Sequence, residues 1–150
     1  MKFKFRLERV MSHKRTERDL AFRDFAEAQR NYEAGREKLD KMYEEISEAK
    51  RFESQLVVSG GAPAETLKWS AFFLEGQKVR IENQKSLNRQ LIQEMERKQE
   101  ILIERARELK TFEKLKERQA ERFKLSQKKH DMKTIDEIVV TSAAQKIKAS

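Results

Sequence analysis

The residue types that carry enzyme chemistry are sparse in this sequence. His13 and His130 are its only histidines, cysteine is absent, and neither histidine belongs to an HExxH motif or an acidic triad. A metal site needs several ligands in a defined geometry, and a phosphate loop needs a glycine-rich turn that leads into lysine. The one glycine pair, Gly60-Gly61, leads into Pro63 instead. The sequence therefore predicts a protein that is not an enzyme and holds no metal or cofactor.

Carboxylates are abundant, but they alternate with Lys and Arg at helical spacing, as in Glu33, Glu37 and Lys41. Such runs usually form solvated helix faces supported by ion pairs four residues apart. Paired catalytic carboxylates need a cleft, and the two-helix fold that the sequence predicts, described next, does not offer one.

The composition is typical of long helices. Charged residues make up 40% of the 150 residues and hydrophobic residues 37%, with four Gly and one Pro. The only cluster of helix breakers lies at residues 58–63. We therefore expect an all-α fold, a long two-helix antiparallel coiled-coil hairpin with unequal arms. It would form a single domain over residues 1–150, with helices at about 4–57 and 64–140, a turn at about 58–63 and a frayed C-terminal tail.

Apolar residues recur at alternating steps of four and three, which argues against disorder and predicts a coiled-coil seam on each helix. On the first helix these steps select Leu7, Met11, Lys14, Arg18, Ala21, Phe25, Ala28, Tyr32, Gly35, Leu39, Met42, Ile46, Ala49, Glu53 and Leu56. On the second they select Leu67, Ala71, Leu74, Lys78, Ile81, Lys85, Asn88, Ile92, Met95, Gln99, Leu102, Ala106 and Leu109. The polar members Lys78, Lys85, Asn88 and Gln99 either fix the register or loosen the seam for a partner.

The second helix is expected to extend beyond the start of the first. A turn near residues 60–61 sets Leu7 opposite about residue 114, and the second helix continues past that point. Residues 1–20 carry seven Lys or Arg and three acids, and residues 105–150 carry thirteen and seven. The expected hairpin thus has a basic overhanging end, which favours an acidic protein partner. Nucleic acid is the less favoured partner, because aromatics are sparse there and the charges are mixed. The charged N-terminus lacks a signal sequence and no stretch is apolar enough to span a membrane, so we expect a cytoplasmic protein.

Aromatic residues gather near the expected turn: Phe52, Trp69, Phe72 and Phe73, beside Leu74. They either close the hairpin or form a binding hot spot. Because Phe72 and Phe73 are adjacent, they cannot both point into one narrow seam, and at least one should be exposed.

Several stretches, taken together in their order, resemble the FliJ family of flagellar type III export proteins. The stretches are Phe3-x-Phe5-Arg6-Leu7-Glu8-Arg9-Val10, Lys14-Arg15-x-Glu17, Phe72-Phe73-Leu74-Glu75, Val79-x-Ile81-x-x-Gln84, residues 108–119 (ELKTFEKLKERQ) and Lys133-Thr134-Ile135-Asp136-Glu137-Ile138. The resemblance covers almost the whole chain. It implies a two-helix fold similar to the rotor shaft of rotary ATP synthases and a non-enzymatic role in the export apparatus.

The resemblance also implies partners: the hexameric flagellar export ATPase, the cytoplasmic domain of the export gate, and export chaperones. The protein would couple the ATPase ring to the gate, reaching the cytoplasmic face of the inner membrane only through these partners. Residues expected at the ATPase are Arg6, Arg9, Lys14, Arg15, Glu113, Lys114, Leu115, Lys116, Glu117, Arg118, Gln119, Arg122, Asp136 and Glu137. Those expected at the gate are Phe72, Phe73, Leu74, Gln77, Ile81 and Gln84. The alternatives are a generic coiled-coil scaffold or chaperone and, less favoured, a nucleic-acid-binding rod.

Overall fold

A computed structural model describes residues 2–61 and 63–149 and shows two long helices packed against each other. Helix α1 spans Glu8–Val58 and helix α2 spans Ala64–Ala149, with no strand in the described residues. The helices run antiparallel, since Glu53 contacts Ser70 whereas Lys14 contacts Glu108. The lengths are 51 and 86 residues. The all-α hairpin with unequal arms is confirmed.

The turn between the helices depends on two glycines in a backbone conformation that other residues rarely adopt. Gly60 and Gly61 have φ angles of 126° and 99°. The Gly61 N–H donates to the Leu56 carbonyl at 3.2 Å, which satisfies one of the last carbonyls of α1. The Pro63 carbonyl accepts from Thr66 N–H at 3.0 Å and so begins α2.

The helix ends differ from the expected positions. α1 begins at Glu8 instead of about residue 4. Residues 2–5 are not helical, and they carry Phe3 and Phe5 onto α2. α2 is helical to Ala149, beyond the expected end near residue 140. Residues 141–149 are mostly Ala, Lys and Gln, which have high helix propensity, and lysines in the last turn interact favourably with the helix dipole.

The hairpin divides into two compact units. The terminal unit combines the N-terminal residues up to Arg18 with α2 from Arg105 onward, and the turn unit comprises Asp19–Glu104. The terminal unit carries 20 Lys or Arg against 9 Asp or Glu, a net charge of +11. The turn unit carries 14 against 17, a net charge of −3. The net positive charge of the chain thus comes from the terminal unit.

The seam of α1 follows the predicted spacing, since all fifteen predicted positions are buried or half-buried. Within the turn unit, Ala21, Ala28 and Gly35 lie seven residues apart and are all buried. Such small residues let the two backbones approach closely.

The seam of α2 was predicted only in part. Ile81, Asn88 and Leu109 are buried as expected. The seam was predicted from two sets of positions, each repeating every seven residues, and the set that contains Gln99 and Ala106 lies one residue too late. Gln99 and Ala106 are exposed, whereas Gln84 is buried and Lys98 and Arg105 are half-buried. Of the polar residues assigned to this seam, Lys78 and Gln99 are exposed and Lys85 is half-buried, which leaves only Asn88 buried. Gln84, Asn88 and Arg105 occupy the seam because α1 supplies hydrogen-bond or ion-pair partners for them, as described below.

Candidate protein-binding surfaces

The terminal unit is closed by an N-terminal aromatic segment that the helical spacing did not predict. Phe5 is 7% exposed and packs with Met11 and Leu109. Phe3 lies with its ring centroid 5.7 Å from that of Phe123 on α2. The alternation Phe3, Phe5, Leu7 is the sequence signal for this extended segment, because side chains two residues apart share one face of an extended chain. The segment extends the intrachain packing along α2 as far as Phe123.

Four charged residues link the helices in the terminal unit. Lys14 Nζ lies 3.2 Å from Glu108 Oε2 and 3.6 Å from Glu17 Oε2, and Arg105 approaches the same two carboxylates at 3.5 and 3.7 Å. The hydrogen bond from Lys14 holds the pKa of Glu108 below its usual range, and the same bond raises the pKa of Lys14. Because Glu17 and Glu108 each contact both Lys14 and Arg105, the four side chains form one connected ion-pair network between the helices.

Two lysines predicted at the ATPase are therefore held by contacts within the chain. Lys14 belongs to the network just described, and Lys116 Nζ lies 2.9 Å from Glu8 Oε2. Gln119 is half-buried. The remaining predicted residues are exposed: Arg6, Arg9, Arg15, Glu113, Lys114, Leu115, Glu117, Arg118, Arg122, Asp136 and Glu137. Of these, Lys114, Arg118 and Arg122 are spaced by four and share one face of α2.

The adjacent phenylalanines of the turn unit point in different directions, as expected. Phe72 is 73% exposed, whereas Phe73 is half-buried. Phe73 lies beneath the Arg80 guanidinium, whose carbon is 5.8 Å from the ring centroid. Leu74 is half-buried. Phe72 is thus the aromatic of this pair that is available to a partner.

Gln77, Ile81 and Gln84 face α1, although the family resemblance places them at the gate. Gln77 is 1% exposed and its Nε2 donates to the Met42 carbonyl at 3.1 Å and to Glu45 Oε2 at 2.8 Å. Gln84 and Ile81 are buried in the same seam. Their burial gives these three residues a structural role, because a partner could reach them only after the helices separate.

Gly35 of α1 and Asn88 of α2 lie close together in the seam. Asn88 Nδ2 donates to the Gly35 carbonyl at 3.2 Å, and Gln84 Nε2 donates to the same carbonyl at 3.5 Å. Gln84 Nε2 also donates to Asn88 Oδ1 at 2.9 Å. A Cβ added at Gly35 would overlap Asn88 Oδ1 and lie 3.1 Å from Leu91 Cδ1. Only glycine leaves room for this amide pair.

A shallow apolar groove of about 290 Å³ lies beside the turn, between the last turns of α1 and the first turns of α2. Ser70 Oγ donates to Glu53 Oε2 at 3.2 Å across it. The groove is lined by Ala49, Phe52, Glu53, Leu56, Thr66, Leu67, Trp69, Ser70 and Phe73. Phe73 therefore helps to close the hairpin, whereas Phe52 and Trp69 remain largely exposed.

The histidines do not gather ligands around them. His13 Nε2 lies 2.9 Å from Glu17 Oε1, one turn away on the same helix, and His130 is exposed. In residues 2–61 and 63–149, no three His, Asp or Glu side chains lie close enough to hold a metal ion. Within the same residues, no helix has an apolar run long enough to cross a bilayer.

Comparison with known proteins shows which family the chain matches. The family described as "Flagellar FliJ protein" matches residues 3–148. A protein of that name from Bacillus subtilis (strain 168) is 28% identical over 142 residues, which is 93% of this chain and 95% of that protein. No solved structure matches. The family match covers nearly every residue of both helices, and the chain therefore belongs to the FliJ family of flagellar proteins.

Proposed function

We propose that this protein is a non-enzymatic component of the flagellar type III export apparatus that binds the hexameric export ATPase through its terminal unit. Family membership supports the flagellar role. The exposed basic face of α2 at Lys114, Arg118 and Arg122 carries the proposal for the ATPase. The +11 charge of the terminal unit attracts an acidic protein surface. The last part of α2, exposed at every residue from 128 to 149, is a single helix narrow enough to enter a ring.

The second partner in this proposal is the cytoplasmic domain of the export gate, which the turn unit would bind. Phe72 supports this assignment, because it is a large exposed aromatic that lines an open, mostly apolar depression with Trp69. Trp69 also lines the apolar groove beside the turn, and exposed aromatics that cluster in this way are typical of a hot spot. The protein would also bind export chaperones and escort them. The protein would then work in the cytoplasm, at the inner membrane only through its partners.

Reconstitution from purified parts tests the proposal directly. The full chain, mixed with the export ATPase of the same organism under conditions that assemble the hexamer, should co-elute with the ring. It should separately be retained by the immobilised cytoplasmic domain of the gate. Failure to bind either partner, with a helical circular dichroism spectrum, would overturn the proposed role and favour a generic coiled-coil scaffold.

Replacing Phe72 with alanine should weaken gate binding by roughly 30-fold, because truncating an aromatic hot spot costs ~2 kcal/mol or more. Phe22→Ala is the matched control, since Phe22 is also exposed in the turn unit but does not line the depression that contains Phe72 and Trp69. The affinities can be measured by isothermal titration calorimetry with the gate domain. Equal affinities for both variants would show that Phe72 makes no contact with the gate.

A further inference from the structure

The last part of α2 presents a row of apolar side chains to solvent. Every residue from 128 to 149 is exposed. Leu125, Met132, Ile135 and Val139 are between 58% and 65% exposed. With Lys128 and Ser142, these residues follow alternating steps of three and four, which is the spacing of a coiled-coil seam. A seam of this kind needs a second helix to cover it.

The charge of this segment matches a second copy of itself. Residues 121–142 carry five Lys or Arg and four Asp or Glu, so the segment is nearly neutral although its unit is strongly basic. A strongly acidic partner would find little matching charge along this stretch. We propose that two copies of the chain pair antiparallel through residues 121–142 of α2.

A parallel pairing in register is opposed by its charges. In a parallel dimer the flanking position g faces position e of the next heptad on the other helix. Lys124 would then face Lys129 of the second copy, and Asp131 would face Asp136. Lys128 would also meet its own counterpart inside the seam. Each of these like-charge contacts destabilises the dimer.

One antiparallel register avoids all like-charge contacts. It sets Met132 against Ile135 of the second copy, twice because of the two-fold symmetry, and places Lys128 beside Val139. The aliphatic part of a lysine side chain can cover an apolar neighbour while its ammonium reaches water. In the same register Lys129 faces Asp136 of the second copy, again twice.

The neighbouring antiparallel registers, displaced by one heptad, are each penalised. One displacement brings Lys129 against Lys129 and Asp131 against Asp131 of the second copy. The opposite displacement brings Asp136 against Asp136. The charges therefore select both the orientation and the register. Because only four of six seam residues are apolar, the dimer is weak and depends on concentration.

Sedimentation equilibrium of the full chain over a range of concentrations tests the pairing. We expect a reversible monomer–dimer equilibrium that Met132→Glu abolishes, because it places two glutamates in the apolar centre. Thr134→Glu is the matched control: it adds the same charge on the opposite face of the helix and should leave the equilibrium unchanged. A chain that is monomeric at its highest soluble concentration, or a dimer that tolerates Met132→Glu, overturns the proposal.

A charge exchange tests the orientation. Lys129→Glu or Asp136→Lys alone should raise the dimer dissociation constant roughly tenfold, since each turns two attractive pairs into repulsive ones. The double variant Lys129→Glu/Asp136→Lys should restore it, because the pairs are again opposite in sign. Tighter dimers from the single variants would indicate a parallel pairing and overturn this arrangement.

Discussion

Replacing Gly35 with alanine should lower the free energy of unfolding by about 2 kcal/mol. The new methyl group would overlap Asn88 Oδ1 and crowd Leu91, so the two helices must move apart or the Asn88 side chain must rotate away. Either change weakens the hydrogen bonds that Asn88 and Gln84 donate to the Gly35 carbonyl. Leaving buried amides without partners costs more than the better helix propensity of alanine regains.

Gly76→Ala provides the control for this prediction. Gly76 is also a helical glycine of the turn unit, but its added Cβ would meet only the flexible end of the Arg80 side chain, at 3.2 Å. Alanine there should raise the free energy of unfolding by about 0.5–1 kcal/mol through helix propensity alone. Urea denaturation followed by circular dichroism measures both variants, and the slope against denaturant should not change. Similar effects at the two sites would show that the helices do not approach closely at Gly35.

The pairing of the helices was predictable because the seam of α1 repeats regularly. Small and apolar residues recur there at steps of four and three, and its polar exceptions still occupy the seam. Lys14, for example, was selected by spacing alone, and its side chain is half-buried beside Glu108. Periodicity thus located the contact face even where a residue type argued against burial.

The seam of α2 could not be predicted in the same way, because its polar residues are buried through contacts with particular groups on α1. Gln84 is buried more deeply than Lys85 because its amide donates a hydrogen bond to the Gly35 carbonyl. Gly35 has no side chain to cover that carbonyl. Arg105 is half-buried and Ala106 is exposed, because Arg105 forms an ion pair with Glu17 on α1. Sequence spacing on one helix carries no information about acceptors on the other.

The same limit applies to Gln77 and Gln84, which the family resemblance places at the gate and the structure places against α1. Gln77 and Gln84 lie near Phe72 in sequence, but the spacing of five and twelve residues places them on another face of α2. Their amide groups hold the backbone of α1 at Met42 and Gly35. Buried polar groups of this kind lower stability compared with an apolar seam, and they favour the one register in which they are satisfied.

Reversing Lys114, Arg118 and Arg122 together to glutamate should reduce the affinity for the export ATPase by roughly 100-fold or more. The three side chains are exposed on one face of α2, so the reversal changes a surface without removing a contact within the chain. Lys116 is left unchanged because its reversal would also break the 2.9 Å ion pair with Glu8. Co-elution with the assembled ATPase ring measures the loss, and gate binding should persist in the same protein.

The control must carry the same net charge, since each reversal changes it by two and three lower it from +8 to +2. Arg23, Arg30 and Lys38, exposed on α1 in the turn unit, provide it when all three are changed to glutamate. If binding to the ATPase depended only on long-range attraction to the net charge of this protein, both triple variants would lose affinity equally. The loss would then disappear at high salt. A selective loss in the α2 variant locates the contact on that face, because a localised interface depends on where charge lies and not on its total. Retained binding by a folded α2 variant would remove this face from the interface and leave Arg6, Arg9 and Arg15 to be reversed in its place.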